Sequence, residues 1–150
     1  MPWGKITWNP HGYKHFARGK KLSDWPDIVR GTGEKKRVAK YGVWLSEQQI
    51  RQLEESLVEH QVIEGKIVLT RGRPVFTCGD FTFVYMICDG EVGASLGKRT
   101  DIVLVQWDET EPGTLHGQPV TEEELKQELQ GNDEEWAFYK QWRRSMREIR

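Results

Sequence analysis

At residue 61 the spacing of apolar side chains changes. Before it, "LSEQQIRQLEESLVEHQ" sets Ile50, Leu53, Leu57 and Val58 at three- and four-residue intervals, the stripe of an amphipathic helix. Ser46 and Gln49 form a capping box at its start, and Leu45 and Ile50 can staple it. After residue 61 the period becomes two, through "VIEGKIVLT", "PVFTC", "FTFVYMIC", "EVGASL" and "DIVLVQW", punctuated by "RGRP", "CGD" and "DG". Asp89–Gly90 predicts a type I′ hairpin turn. Helical spacing then returns: "TEEELKQELQG" opens on a Thr121/Glu124 capping box, and "DEEWAFYKQWRRSMREIR" carries Phe138, Trp142, Met146 and Ile149 on one stripe. The expected fold class is α+β, with amino-terminal helices followed by a four- or five-stranded mainly antiparallel sheet, and carboxy-terminal helices.

The 150 residues are expected to form a single domain, with a helical, basic part at 1–60, an antiparallel sheet at 61–107, and an acidic loop and terminal helices at 108–150. Charged residues make up 30% of the chain and no long apolar run occurs, which excludes a transmembrane helix. The start, "MPWGKITWNPHGYKHFARGKK", has no apolar signal region, so the expectation is a cytoplasmic site of action, with export requiring a larger carrier protein. Cys78 and Cys88 lack metal spacing and read as reduced, half-buried thiols. The four His form no zinc signature, so neither a metal nor another cofactor is expected.

A net charge of −1 conceals segregation. Residues 1–42 carry ten Lys/Arg against three Asp/Glu, whereas residues 101–135 carry one against eleven. The first segment suits a polyanionic partner; the second reads as a solvated face or a protein-binding surface.

In the basic segment, "NPHGYKHFARG" predicts a short helix capped by Asn9, with Pro10 at its first position and Gly19 past its end. At 3.6 residues per turn, His11, Lys14, His15 and Arg18 share one face, and Tyr13, Phe16 and Ala17 another. "SDWPDIVRGTG" predicts a second short helix ending at Gly31, and "EKKRVAKYGVW" a basic loop or edge strand carrying Lys35, Lys36 and Arg37.

"GEVGASLGKRT" imitates a nucleotide-binding loop but fails its spacing. Three residues instead of four separate Gly93 from Gly97, Arg99 follows Lys98 where a hydroxyl is needed, and both flanks read as strands. A hairpin presenting Ser95, Lys98, Arg99 and Thr100 at a sheet edge is the alternative. Together with the His-bearing helix, it supplies what metal-free RNA cleavage requires: a proton carrier (His15), cations (Lys14, Lys98, Arg99) and hydroxyl donors to phosphate (Ser95, Thr100). The plainer readings are a surface His, solvated turn cations and turn-closing hydroxyls. Trp8, Trp25 and Trp44 read either as base-stacking rings or as core anchors.

The order of these features resembles the colicin D-like branch of bacterial transfer-RNA nuclease toxins, within the barnase/EndoU/colicin/RelE fold group. "YKH" (Tyr13, Lys14, His15), the helix ending "LEESLVEHQ" and the turn "CDGEVGAS" carry the resemblance, over roughly residues 11–105. It implies a metal-independent ribonuclease acting on transfer RNA near the anticodon. In it His15 would be the acid–base residue, Lys14 a phosphate cation and Ser95 the strand hydroxyl near the scissile phosphate; the residue pattern itself adds Thr100 to the expected catalytic group and makes His11, Arg18, Lys98, Arg99, Lys35, Lys36 and Arg37 the expected substrate-binding residues. The resemblance also implies a cognate immunity protein as partner. A non-catalytic RNA- or DNA-binding module, and an immunity or interaction protein working through the acidic 101–135 segment, are the alternative functions.

Overall fold

Val84, Val103 and Val105 face one side of a sheet, Tyr85, Ile102 and Leu104 the other, and both sides are covered. This two-sided burial is why β6 and β9 carry apolar residues on both sets of alternating positions, where the period-two reading expects one buried face. The computed structural model describes residues 7–34, 38–57, 61–63, 66–68, 73–76, 81–108 and 114–149. Lys35, Lys36, Arg37, Val58 and Cys78 lie outside the described residues.

The fold is α+β. Its main sheet runs in the order β1 (Thr7–Trp8), β10 (Thr114–Val120), β9 (Ile102–Asp108), β6 (Phe81–Ile87) and β5 (Arg73–Phe76). All neighbours are antiparallel except β1, which lies parallel to β10. A second sheet joins β2 (Lys40–Tyr41), β7 (Gly93–Ser95) and β8 (Lys98–Thr100), and β3 (Gln61–Ile63) pairs with β4 (Lys66–Val68). The helices are α1 (Trp25–Gly31), α2 (Glu47–Leu57), α3 (Glu122–Glu128) and α4 (Asp133–Ile149).

Ile50 and Leu57 of α2 join Phe16, Tyr41 and Leu115 over one face of the main sheet, each large apolar side chain contributing about 1.5–3 kcal/mol by burial. Leu125 of α3, Leu129 and Tyr139 of α4 cover the other. Both expected capping boxes form. Ser46 N donates to Gln49 Oε1 at 2.8 Å and Gln49 N to Ser46 Oγ at 3.1 Å; Thr121 and Glu124 do the same at 2.9 and 3.2 Å.

Four expectations are corrected. The helix at 9–19 is only a single 3₁₀ turn, His11–Tyr13, because Gly12 (φ 68°) and Tyr13 (φ 59°) both adopt left-handed backbone, which no right-handed helix continues through. His11, Lys14, His15 and Arg18 therefore share no helical face, and Pro10, not Asn9, stands at the N-cap position of the turn.

Asp89–Gly90 is a bend and not a hairpin turn: β6 pairs with β9, and the chain passes from the main sheet into the second one. A two-residue hairpin lies instead at Leu96–Gly97, where φ values of 52° and 74° give the paired positive angles of a type I′ turn between Ser95 and Lys98.

The basic part at 1–60 is not wholly helical, since it supplies β1 and β2. The segment expected to be acidic loop contains β10. Gly117 and Pro119 hide that strand in the sequence; Pro119 is tolerated because β1 pairs only with Thr114 and Leu115, leaving the rest of that edge without a ladder partner from β1.

The two sheets meet at Gly93. A β-carbon there would fall 2.5 Å from the Lys40 carbonyl oxygen and 2.8 Å from Pro119 Cγ, so only glycine lets β2, β7 and β10 approach so closely.

Candidate active site

Lys14 and His15 open onto a polar cleft of about 220 Å³ where the turn after β1 crosses the edge of the main sheet. Across it stand Gln106 of β9 and His116 and Gln118 of β10. Gln106 and His116 are direct cross-strand partners, as are Leu104 and Gln118, so strand register alone brings them to one face.

His15 is only 4% exposed and is held at both ends. Its backbone carbonyl accepts from Tyr41 N at 2.8 Å, and its Nδ1 donates to the Ala39 carbonyl at 2.9 Å. A carbonyl oxygen only accepts, so Nδ1 carries the hydrogen and Nε2 is the nitrogen that can take a proton. Lys14 is exposed, and Lys40 Nζ donates to its carbonyl at 2.5 Å, which adds a second cation to the same region. The cleft thus combines two imidazoles, an ammonium group and two amides.

Behind the cleft lies a carboxylate. Glu54 of α2 is buried on the opposite face of the sheet, where it accepts from Trp8 Nε1 at 2.8 Å, from the Tyr41 hydroxyl at 2.5 Å and from the Gly117 backbone. Burial raises its pKa; the hydrogen bonds from Tyr41, Trp8 and Gly117 oppose that rise. A β-carbon at Gly117 would lie 2.9 Å from Glu54 Oε2 and 2.8 Å from Val105 Cγ2, which makes glycine necessary at that strand position. Glu54 therefore ties Tyr41, whose amide holds His15, to Gly117, the neighbour of His116.

The residues expected to surround one phosphate are divided between two clefts. Lys98, Arg99 and Thr100 line a separate depression of about 410 Å³ with Glu91, Asp101, Glu123 and Arg143. Ser95 and Thr100 are buried, and Thr100 Oγ1 donates to the Val120 carbonyl at 2.6 Å while accepting from Ile102 N at 3.2 Å. Ser95 and Thr100 are thus largely withdrawn from solvent, with the Thr100 hydroxyl engaged by the backbone.

The cations of that depression are paired. Lys98 Nζ lies 2.9 Å from Glu123 Oε1, and this hydrogen bond lowers the pKa of Glu123; Arg99 Nε lies 3.5 Å from Glu91 Oε1. Arg143 bonds both oxygens of Asp101, at 2.5 and 2.7 Å. Arg18 pairs with Glu47 at 2.7 Å, and His11 begins the 3₁₀ turn. Cys88 is a free, half-buried thiol whose pKa burial pushes up to about 12.

His116, Gln106, Gln118 and Glu54 were not legible as site residues. "TLHGQPV" lacks a strand pattern, and a lone Glu on a helix reads as solvent-facing. The one available signal for Glu54 was its position one residue from Leu53 and three from Leu57, beside the apolar stripe.

Comparison with protein-family models, with curated proteins and with solved structures finds no match to this chain. Among the described residues no helix is long and apolar enough to cross a membrane. Among the same residues no group of three or more His, Cys, Asp or Glu side chains is placed to hold a metal ion.

Proposed function

We propose that the chain is an endoribonuclease in which His15 and His116 divide the proton transfers. The observation that carries this reading is that a buried imidazole, with Nδ1 held by a carbonyl, opens onto the same polar cleft as a second imidazole and an exposed ammonium group. RNA supplies the nucleophile. His15 Nε2 takes the 2′-hydroxyl proton as the 2′ oxygen bonds to phosphorus. The bond from phosphorus to the 5′ oxygen breaks, and protonated His116 gives that oxygen its hydrogen. The products are a 2′,3′-cyclic phosphate and a 5′-hydroxyl end, with no other reactant consumed. Lys14, with the amides of Gln106 and Gln118, offers charge and donors to the phosphate oxygens as negative charge develops. Each proton carrier contributes about 10²–10⁴-fold.

The sequence resemblance points to transfer RNA as the substrate and to the cytoplasm as the place of action, with a cognate immunity protein as the natural inhibitor. Expression of the wild type in bacteria should arrest growth and yield a discrete transfer-RNA fragment, and His116→Ala should do neither. Growth arrest without RNA fragments, or equal toxicity of the variant, overturns the reading.

A further inference from the structure

Among the described residues of the amino-terminal part, 1–60, two aromatic side chains are exposed, Trp44 (42%) and Tyr13 (36%). Neither is loosely placed. Trp44 sits in the turn closed by Leu45 N donating to the Gly42 carbonyl at 3.0 Å, and its indole folds back flat over Gly42. A β-carbon at Gly42 would lie 2.5–2.6 Å from Cζ2, Cε2 and Cη2 of the indole. Trp25 fixes the ring from a second side, edge-on at 5.2 Å, and is itself anchored by Nε1 donating to Glu91 at 2.7 Å.

Tyr13 directly precedes Lys14 and His15. Its left-handed backbone costs a non-glycine residue about 1–2 kcal/mol, and its ring meets Phe16 edge-on at 5.2 Å beneath the Arg18 guanidinium at 4.4 Å. Arg18 in turn reaches Glu47, three residues beyond Trp44. Arg18 thus joins Tyr13 to the first turn of α2, which begins three residues after Trp44.

We propose that Trp44 and the stacked Tyr13–Arg18 pair are base-stacking platforms for a single-stranded nucleic acid whose backbone is held at the Lys14/His15 cleft. A part-exposed ring already held by Gly42 and Trp25 loses little conformational freedom when a base stacks on it, and stacking accepts any base. The ten Lys/Arg against three Asp/Glu of residues 1–42 favour a polyanion over a sugar or an apolar peptide as occupant. This stacking role rests on the nucleic-acid reading of the cleft but not on cleavage.

The test is binding of a labelled 2′-deoxy oligonucleotide of about ten nucleotides, which has no 2′-hydroxyl and cannot be cut by this chemistry. Trp44→Ala and Gly42→Ala should each weaken binding about tenfold in protein that circular dichroism shows to be folded at the assay temperature, the second by displacing the indole without removing it. Trp44→Phe should restore most of the affinity. On an oligonucleotide with abasic sites in place of bases, Trp44→Ala should cost nothing. Wild-type affinity in Trp44→Ala, an equal loss on the abasic ligand, or no binding by the wild type each overturns the stacking role. RNA cleavage that persists beside an unaffected Trp44→Ala rejects the stacking role alone. Lost binding in Trp44→Ala without any RNA cleavage by the wild type rejects the nuclease reading alone.

Discussion

Tyr41 donates its hydroxyl hydrogen to Glu54 Oε2 at 2.5 Å, with both side chains buried. Through this bond a residue of α2 holds β2, and through the same carboxylate it holds β1 at Trp8 and β10 at Gly117. Three backbone elements that carry or brace the cleft thus converge on one side chain. A carboxylate buried with three donors is tolerated because each donor replaces part of the hydration it loses.

Glu54→Ala should destabilise the protein by about 3 kcal/mol or more, since three buried donors lose their acceptor. Glu54→Gln, which keeps one acceptor oxygen, should cost about 1 kcal/mol at neutral pH. Burial raises the Glu54 pKa above its ordinary 4.5, so its contribution is fully present below about that pH and declines as pH rises through the higher folded value. Chemical denaturation across pH 4 to 7 should therefore show the advantage of wild type over Glu54→Gln shrinking as pH rises. An advantage that grows toward neutral pH would contradict this sign.

Alkaline stability is governed by two further groups. Burial first, then the Asp101 charge, pushes the Cys88 thiol from 9.0 up to about 12; burial first, then Glu54, raises Tyr41 well above 10.0. Both pKa values are raised, so stability is intact below pH 9 and is lost as pH rises through the folded values. Unfolding titrations should show a fall of about 1.4 kcal/mol per pH unit starting near pH 9, steepening above pH 10 as Tyr41 joins. Cys88→Ala should remove the first part of that fall and leave the second.

Thr100→Val removes a hydroxyl that bridges the Val120 carbonyl and the Ile102 amide. The expected result is a loss of about 1–3 kcal/mol in stability, with RNA cleavage by the folded protein unchanged. A variant of unchanged melting temperature and slowed cleavage would return Thr100 to the catalytic group.

Local signals in the sequence that agreed with tertiary packing were legible: the Ser46/Gln49 and Thr121/Glu124 boxes, the Ile50 and Leu57 stripe, and the apolar strands β6 and β9. Where tertiary contacts overrode local preference the sequence misled. Asn9-Pro10 advertises a helix, but Tyr41 N and the Ala39 carbonyl draw His15 inward, and Gly12 and Tyr13 turn the chain to allow it. Of the residues lining the candidate cleft, Lys14 and His15 were legible because a cation beside an imidazole stands out in any short segment. His116 was not, because its place beside them depends on β10 pairing with β9 and crossing beneath the β1 turn, a relation between residues a hundred positions apart. The burial of Ser95 and Thr100 was hidden for the converse reason: in "GASLGKRT" their hydroxyls read as exposed at a turn, while both residues are buried in a sheet that sets β7 between β2 and β8.

The most direct measurement is the rate at which purified protein converts transfer RNA to fragments ending in 2′,3′-cyclic phosphate, in the presence of EDTA, for wild type, His15→Ala and His116→Ala, with melting temperatures recorded alongside. Wild type should produce the cyclic ends, and each variant should cleave at least about a hundredfold more slowly while still binding RNA. Full activity in folded His116→Ala, or no cleavage by the wild type, would contradict the two-histidine site.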